Sequence, residues 1–168
     1  MYLLDTNILS EGAPTKDQAR VFADLVQWLE AASEHVFLSV VTVAEIEAGA
    51  EADEIRGHHK KAVRLREWLA TVEHLYGDRI LLLDHEGARL AGTLSARAKM
   101  VGAAPGFADA AIAATATRYG LRLVTRNAKD FTPMGVDFIN PYEDGLPPLP
   151  EPDPEPTWRF SGRTGPGG

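Results

Sequence analysis

Asp5, Glu45 and Asp109 stand far apart in the chain, yet each sits where a short apolar run meets the start of a helix. Asp5 closes Leu3-Leu4, Glu45 follows Val40-Val41-Thr42-Val43-Ala44, and Asp109 lies in Gly106-Phe107-Ala108-Asp109-Ala110-Ala111-Ile112. In a parallel α/β sheet the carboxyl ends of the strands share one rim, and ligands bind in the crevice there. Acidic groups at strand ends and in first helical turns would converge on that rim. Converging carboxylates repel unless a cation neutralises them, and hard divalent ions such as Mg²⁺ choose oxygen ligands. The pattern points to metal-dependent phosphate chemistry.

Each acid also has a plainer reading. Asp5 can cap the short helix that follows or close an Asx turn with Asn7. Glu45 stands three residues after Thr42, the spacing of a capping box. Asp109 lies in a first helical turn, where the helix dipole favours negative charge. Taken together the three favour a site, because Asp5 and Asp109 sit in apolar sequence where an unpaired charge is expensive. Phe107, Ala108, Ala111, Ile112 and Ala114 imply a tightly packed helix around Asp109.

The elements that would carry these residues alternate between strand and helix. Tyr2–Leu4 reads as a strand ending at Asp5, and Val21, Phe22, Leu25, Val26 and Leu29 predict a helix over Lys16–Ser33. Val36–Val41 is β-branched and predicts a second strand, with a short helix from Val43 to about Ala50 that Gly49 would end. Arg56–Tyr76 carries a helical apolar stripe. Ile80–Leu83 predicts a buried parallel strand, and Asp84 or His85 starts a helix reaching Met100. A helix over Phe107–Tyr119, a strand over Leu121–Val124 and a short strand at Phe138-Ile139 complete the series. The expected fold is α/β, with a mainly parallel central sheet flanked by helices in three layers.

A length of 168 residues suits one domain with a sizeable core, and 45% hydrophobic with 24% charged residues is ordinary for a globular protein. No apolar run approaches the roughly 20 residues of a membrane-spanning helix. A secretory leader is not expected, since no basic stretch precedes a long apolar segment. Zero Cys excludes disulfides, thiolate zinc sites and a thiol nucleophile, and fits a reducing cytoplasm. The net charge of −7 counts against a broad basic face for nucleic acid. Residues 143–168 supply −3 of it, from five acidic and two basic side chains, so −4 remains for residues 1–142. Beyond Tyr142 the chain holds six prolines between 145 and 156 and reads as an extended tail. Trp158 and Phe160 within it would dock on the body, a second subunit or a partner.

Four segments in order resemble the PIN-domain family. They are Met1-Tyr2-Leu3-Leu4-Asp5-Thr6-Asn7-Ile8-Leu9-Ser10-Glu11, then Ser39 to Ile46, Asp109 to Ala116, and Leu123-Val124-Thr125-Arg126-Asn127-Ala128-Lys129-Asp130-Phe131. The resemblance covers residues 1–142, the expected domain, and is strongest to the VapC/FitB-type toxins of type II toxin–antitoxin modules. It implies a Mg²⁺- or Mn²⁺-dependent endoribonuclease with Asp5, Glu45 and Asp109 as its acidic triad. It also implies an RNA substrate, a small inhibitory antitoxin and a homodimer. By the same resemblance Asp5 and Asp109 hold the principal ion, while Glu45 completes the set or orients the attacking water. Thr6, Asn7, Thr125 and Arg126 would support the ligands or contact phosphate. Thr125 and Arg126 are equally readable as a strand end and a surface cation. Where many relatives carry a fourth acid this chain has Asn127, which can ligate but brings no charge; its nearest carboxylate is Asp130.

Other motifs carry less. His58 and His59 are adjacent and point to different helix faces, so a solvated face explains them better than a shared ion. Arg56, Lys60, Lys61 and Arg64 beside them are candidate phosphate contacts. Asp84-His85-Glu86 reads as a helix start. No P-loop and no serine-hydrolase nucleophile elbow is present. The helices at 16–33 and 43–50 would either pack inward or offer a groove to a partner. Two rival functions remain open at this level: an RNA-processing PIN nuclease without an antitoxin, and a binding module that has lost catalysis, to which Asn127 lends weight.

Overall fold

The neighbours Leu3 and Leu4 are both fully buried, but they belong to different cores. Successive side chains of a strand point to opposite faces, so a central strand buried on both sides needs a helical layer on each. The computed structural model describes residues 1–14 and 23–149. Its strands are β1 (Tyr2–Leu4), β2 (Val36–Ser39), β3 (Ile80–Leu81), β4 (Arg122–Val124) and β5 (Phe138–Ile139). They form one five-stranded sheet in the order β3-β2-β1-β4-β5, every pair parallel. Leu3 is in register with Phe37 on one side and Leu123 on the other.

The helices are α1 (Thr6–Leu9), α2 (Ala23–Ala31), α3 (Val40–Ile55), α4 (His59–Tyr76), α5 (His85–Met100), α6 (Phe107–Arg118) and α7 (Ala128–Phe131). Leu4, Ile8, Leu25, Leu38, Leu69 and Val72 share one core with α1–α4. Leu3, Phe37, Leu94, Ala113, Leu123 and Phe131 share the other with α5–α7. Three layers are the result, as the sequence pattern predicts. Among the described residues no helix is long and apolar enough to cross a membrane.

Several boundaries differ from the sequence expectation. β2 stops at Ser39 and not at Val41, because the Ser39 hydroxyl accepts the Val41 N–H at 3.2 Å and caps α3. Capping overrides the β-branched run. The helix then runs through Gly49 to Ile55, five residues past the expected stop at Ala50. A Cβ at Gly49 would meet only Leu65 of α4, at 3.9 Å, so the glycine sits in ordinary helix packing. The turn falls instead at Gly57, whose φ of 81° lets the chain reverse. α4 starts at His59 where Arg56 was expected, and β3 is two residues long where four were expected. Of the helix expected over Lys16–Ser33, Ala23–Ala31 is observed; residues 15–22 lie outside the described residues.

The start of the Pro-rich segment lies against the body. Trp28 Nε1 donates to the Pro147 carbonyl and Tyr2 Oη to the Pro148 carbonyl, each at 2.7 Å. The Tyr2 and Trp28 rings meet edge-on at 5.6 Å, and Leu146 joins their core. Trp158 and Phe160 lie outside the described residues.

Candidate active site

The chain builds β1, β2 and β3 outward in one direction and β4 and β5 in the other, so the switch point lies between β1 and β4. Asp5 and Thr125 are the residues immediately beyond these two strands. The ladder continues through them: Asp5 N–H donates to Val124 O and Thr125 N–H to Ile139 O, both at 3.0 Å. Both side chains are then held at the carboxyl-terminal rim, Asp5 4% and Thr125 0% exposed. Thr125 is therefore no surface residue. Its hydroxyl donates to Asp5 Oδ2 at 2.6 Å, and Asn7 Nδ2 donates to the same oxygen at 2.5 Å. Both side-chain hydrogen bonds land on Oδ2.

Asp5 is the N-cap residue of α1, but its side chain makes no capping bond. Among the described residues no cation pairs with it, and burial pushes its carboxyl up to about 6. The Thr125 hydroxyl and Thr6 backbone work against that rise, and the charges of Asp109 and Glu45 add to it. Asp5 thus feels both other acids across the rim. A buried carboxylate beside two others, supplied only with neutral donors, is short of positive charge.

Glu45 and Asp109 reach the rim from helices in opposite layers. Because Ser39 caps α3, Thr42 is not an N-cap and no Thr42–Glu45 capping box exists. Thr42 is instead buried, and Thr6 Oγ1 lies 3.3 Å from its hydroxyl while donating to Glu45 Oε2 at 2.5 Å. Thr6 therefore tethers α3 to α1. Asp109 sits in the first turn of α6, where Oδ2 accepts the Gly106 N–H at 3.0 Å. Its carboxyl is pushed up by burial, the Gly106 bond opposes this, and the charge of Asp130 adds to it. A Cβ on Gly106 would come within 3.1 Å of Oδ2, so the bare glycine lets the backbone approach the acid closely.

The segment after β4 closes the arrangement. Asn127 N–H donates to Thr125 Oγ1 at 3.0 Å, and Asn127 Nδ2 to Asp130 Oδ2 at 2.5 Å. The amide thus engages the one carboxylate left in this segment. Arg126 turns elsewhere: its backbone N–H reaches Asn7 Oδ1 at 3.3 Å and its guanidinium pairs with Glu11 Oε1 at 3.0 Å. Glu11 is 4% exposed and was given no role by the sequence. Its place three residues after buried Ile8, on the inward side of the same turns, was the available signal.

Among the described residues no three or more His, Asp or Glu side chains are placed so that together they could hold a metal ion. The donor set itself is all oxygen, with hydroxyl and amide groups behind it, as hard divalent cations require. His58 and His59, by contrast, are engaged individually by Asp53 and Glu54 at the far tip of α3 and α4. Asp84 caps α5 through the Gly87 N–H at 2.8 Å and pairs with Arg118, as expected of a helix start.

The parallel three-layer sheet, with Asp5 buried at its switch point, defines the class: an α/β protein whose candidate site lies at the carboxyl-terminal rim. The pattern of the PIN domain matches residues 2–134, and the chain belongs to that family. It is 33% identical over 144 residues to VapC ribonuclease Y4jK of Sinorhizobium fredii, covering 85% of this chain and 99% of that protein. Toxin FitB of Neisseria gonorrhoeae is 34% identical over 145 residues, covering 86% of this chain and 100% of FitB. The crystal structure of FitAcB from Neisseria gonorrhoeae superposes with a TM-score of 0.71, at 34% identity, over 85% of this chain and 99% of that one.

Proposed function

We propose that this protein is a divalent-metal-dependent endoribonuclease, the toxin of a type II toxin–antitoxin pair silenced by a small antitoxin protein. The observation that carries the chemistry is Asp5: buried, without a cationic partner among the described residues, and facing the charges of Asp109 and Glu45 at the switch point. Its relatives named as a VapC ribonuclease and toxin FitB, matched along nearly their whole length, support the activity and the toxin role.

Asp5 and Asp109, with Glu45, would hold Mg²⁺ or Mn²⁺. When bound, such an ion lowers the pKa of a coordinated water and stabilises charge on the phosphoryl oxygens. The chain's own residues prepare the site. Thr125 and Asn7 fix the orientation of Asp5 through Oδ2. Thr6 holds Glu45 toward the rim, where its carboxylate can orient the attacking water. Asn127 and Asp130 hold each other beside Asp109, so a second ion at this position would meet one negative charge and one amide.

The test is cleavage of total bacterial RNA by antitoxin-free protein in Mg²⁺, Mn²⁺ or EDTA, with Asp109→Asn alongside. The expected result is metal-dependent cutting that EDTA and the substitution both abolish. Cutting that survives both, from protein freed of contaminating nucleases, would overturn the reading.

A further inference from the structure

The hairpin of α3 and α4 reaches past the sheet. α4 ends at Tyr76, next to the start of β3, so it runs antiparallel to the strands. Its 18 residues span about 27 Å, whereas the 4 residues of β2 span about 13 Å. The excess projects beyond the carboxyl-terminal rim, on the side of the carboxylates. Packing agrees: Leu69 and Val72 enter the core, while of the first turns of α4 only Ala62 is buried.

Charge at that tip is sorted. Asp53 takes Lys61 at 2.8 Å and His58 at 3.3 Å, and Glu54 takes His59 at 2.6 Å. Glu47 and Glu51 are bound by Arg66. Arg56, Lys60 and Arg64 are left exposed with no acidic partner among the described residues, on a chain whose net charge is −7. With Gly57 and the two histidines, Lys60 and Arg64 line a shallow concavity. Cations without an acidic partner among the described residues, on the same side of the sheet as an acidic centre, suit a polyanion whose scissile group must be brought against like charge. Along α3, Arg56 stands 11 residues from Glu45, about 16 Å. A stacked single strand rising about 3.4 Å per nucleotide covers that distance in roughly five nucleotides.

We propose that Arg56, Lys60 and Arg64 form a docking surface for the phosphate backbone of single-stranded RNA, about five nucleotides from the bond being cut. The proposal rests on the ribonuclease reading above. The surface is sequence-independent, since point cations at a helix end recognise phosphate and not base edges. Its contribution is to hold the strand, so it acts on KM and not on kcat.

The test uses the full chain and the triple variant Arg56→Gln/Lys60→Gln/Arg64→Gln, with circular dichroism to confirm folding. Binding and cleavage of a fluorescent 20-nucleotide RNA are compared with those of a 4-nucleotide RNA at several salt concentrations. The expected result is a roughly tenfold or larger rise in KM for the long RNA, unchanged kcat, and no change for the short one. The slope of log affinity against log salt should fall by about 2, as removal of three single-strand phosphate contacts requires. Arg56→Lys/Arg64→Lys should retain wild-type behaviour. Equal KM and equal salt slope in the triple variant overturn the proposal while leaving the nuclease standing. Unchanged RNA binding with loss of poly-glutamate binding also overturns it, and assigns the tip to an acidic polypeptide. Wild-type protein that neither binds nor cuts RNA with either metal removes the nuclease reading, and the docking surface with it.

Discussion

Asp5 costs the metal-free protein stability, and the sign is open to measurement. Its carboxyl rises from 3.8 unfolded to about 6 folded, so the folded state prefers the protonated form. Stability from this group is present below pH 4 and lost as pH rises through 6, a loss of about 3 kcal/mol. In EDTA, Asp5→Asn should melt near wild type at pH 4 and several degrees higher at pH 8, and with Mg²⁺ or Mn²⁺ restored it should not cleave RNA. Equal melting at pH 8 would show that Asp5 has a cationic partner after all. Gly106 offers a second test. Gly106→Ala places a methyl 3.1 Å from Asp109 Oδ2 and should lower kcat several-fold with little change in melting temperature. Unaltered kcat would mean that Asp109 tolerates displacement. Asp5 follows a strand and Asp109 lies in a first helical turn, as the sequence pattern places them, whereas Glu45 lies a full turn inside α3 because that helix starts at Val40. Glu11 and buried Thr42 were not legible in the sequence, because an ion pair to Arg126 and a hydroxyl contact to Thr6 link positions remote in sequence.

At the scale of elements, what sequence reasoning recovered depended on how local the cause was. α5 and α6 fall within a residue of expectation, since the Asp84 cap and the Gly102–Gly106 break are local signals. The α3 boundaries did not, because Val40 and Val41 favour strand while the Ser39 cap and the fit against α4 decide for helix. α6 shows most sharply how composition serves packing. Ala110, Ala111, Ala113, Ala114 and Ala116 are at most 1% exposed, so α6 presents almost no side-chain bulk and lies close to its neighbours. This proximity sets where Asp109 meets the rim. Ala113→Leu should overpack the interface, destabilise by about 1–3 kcal/mol, and reduce cleavage by shifting α6. Chemical denaturation and kcat measured together check it; full stability with full activity would show that the layer has room to spare.

At the scale of the whole molecule, the sheet is clamped at both ends of its central strand. β1 is three residues long: Asp5 follows it at one rim, and Tyr2 begins it at the other. Tyr2 is tied by its hydroxyl to Pro148 and by its ring to Trp28, which is itself tied to Pro147. Prolines suit this strap, because their carbonyls accept bonds while their rings restrict the unfolded chain. So short a strand has few ladder bonds of its own, and loosening the Tyr2 end should be felt at Asp5. Comparing the chain ended after Leu149 with the chain ended after Asp144 isolates the strap. The shorter form loses two hydrogen bonds at roughly 1 kcal/mol each and the burial of Leu146 at about 1 kcal/mol or more. Its melting temperature should fall by roughly 6–12 °C relative to the longer form. Its metal-dependent cleavage should fail over the same lower range of temperature, since the strand that carries Asp5 is the one released. Equal melting of the two forms would show that β1 holds its place without the strap.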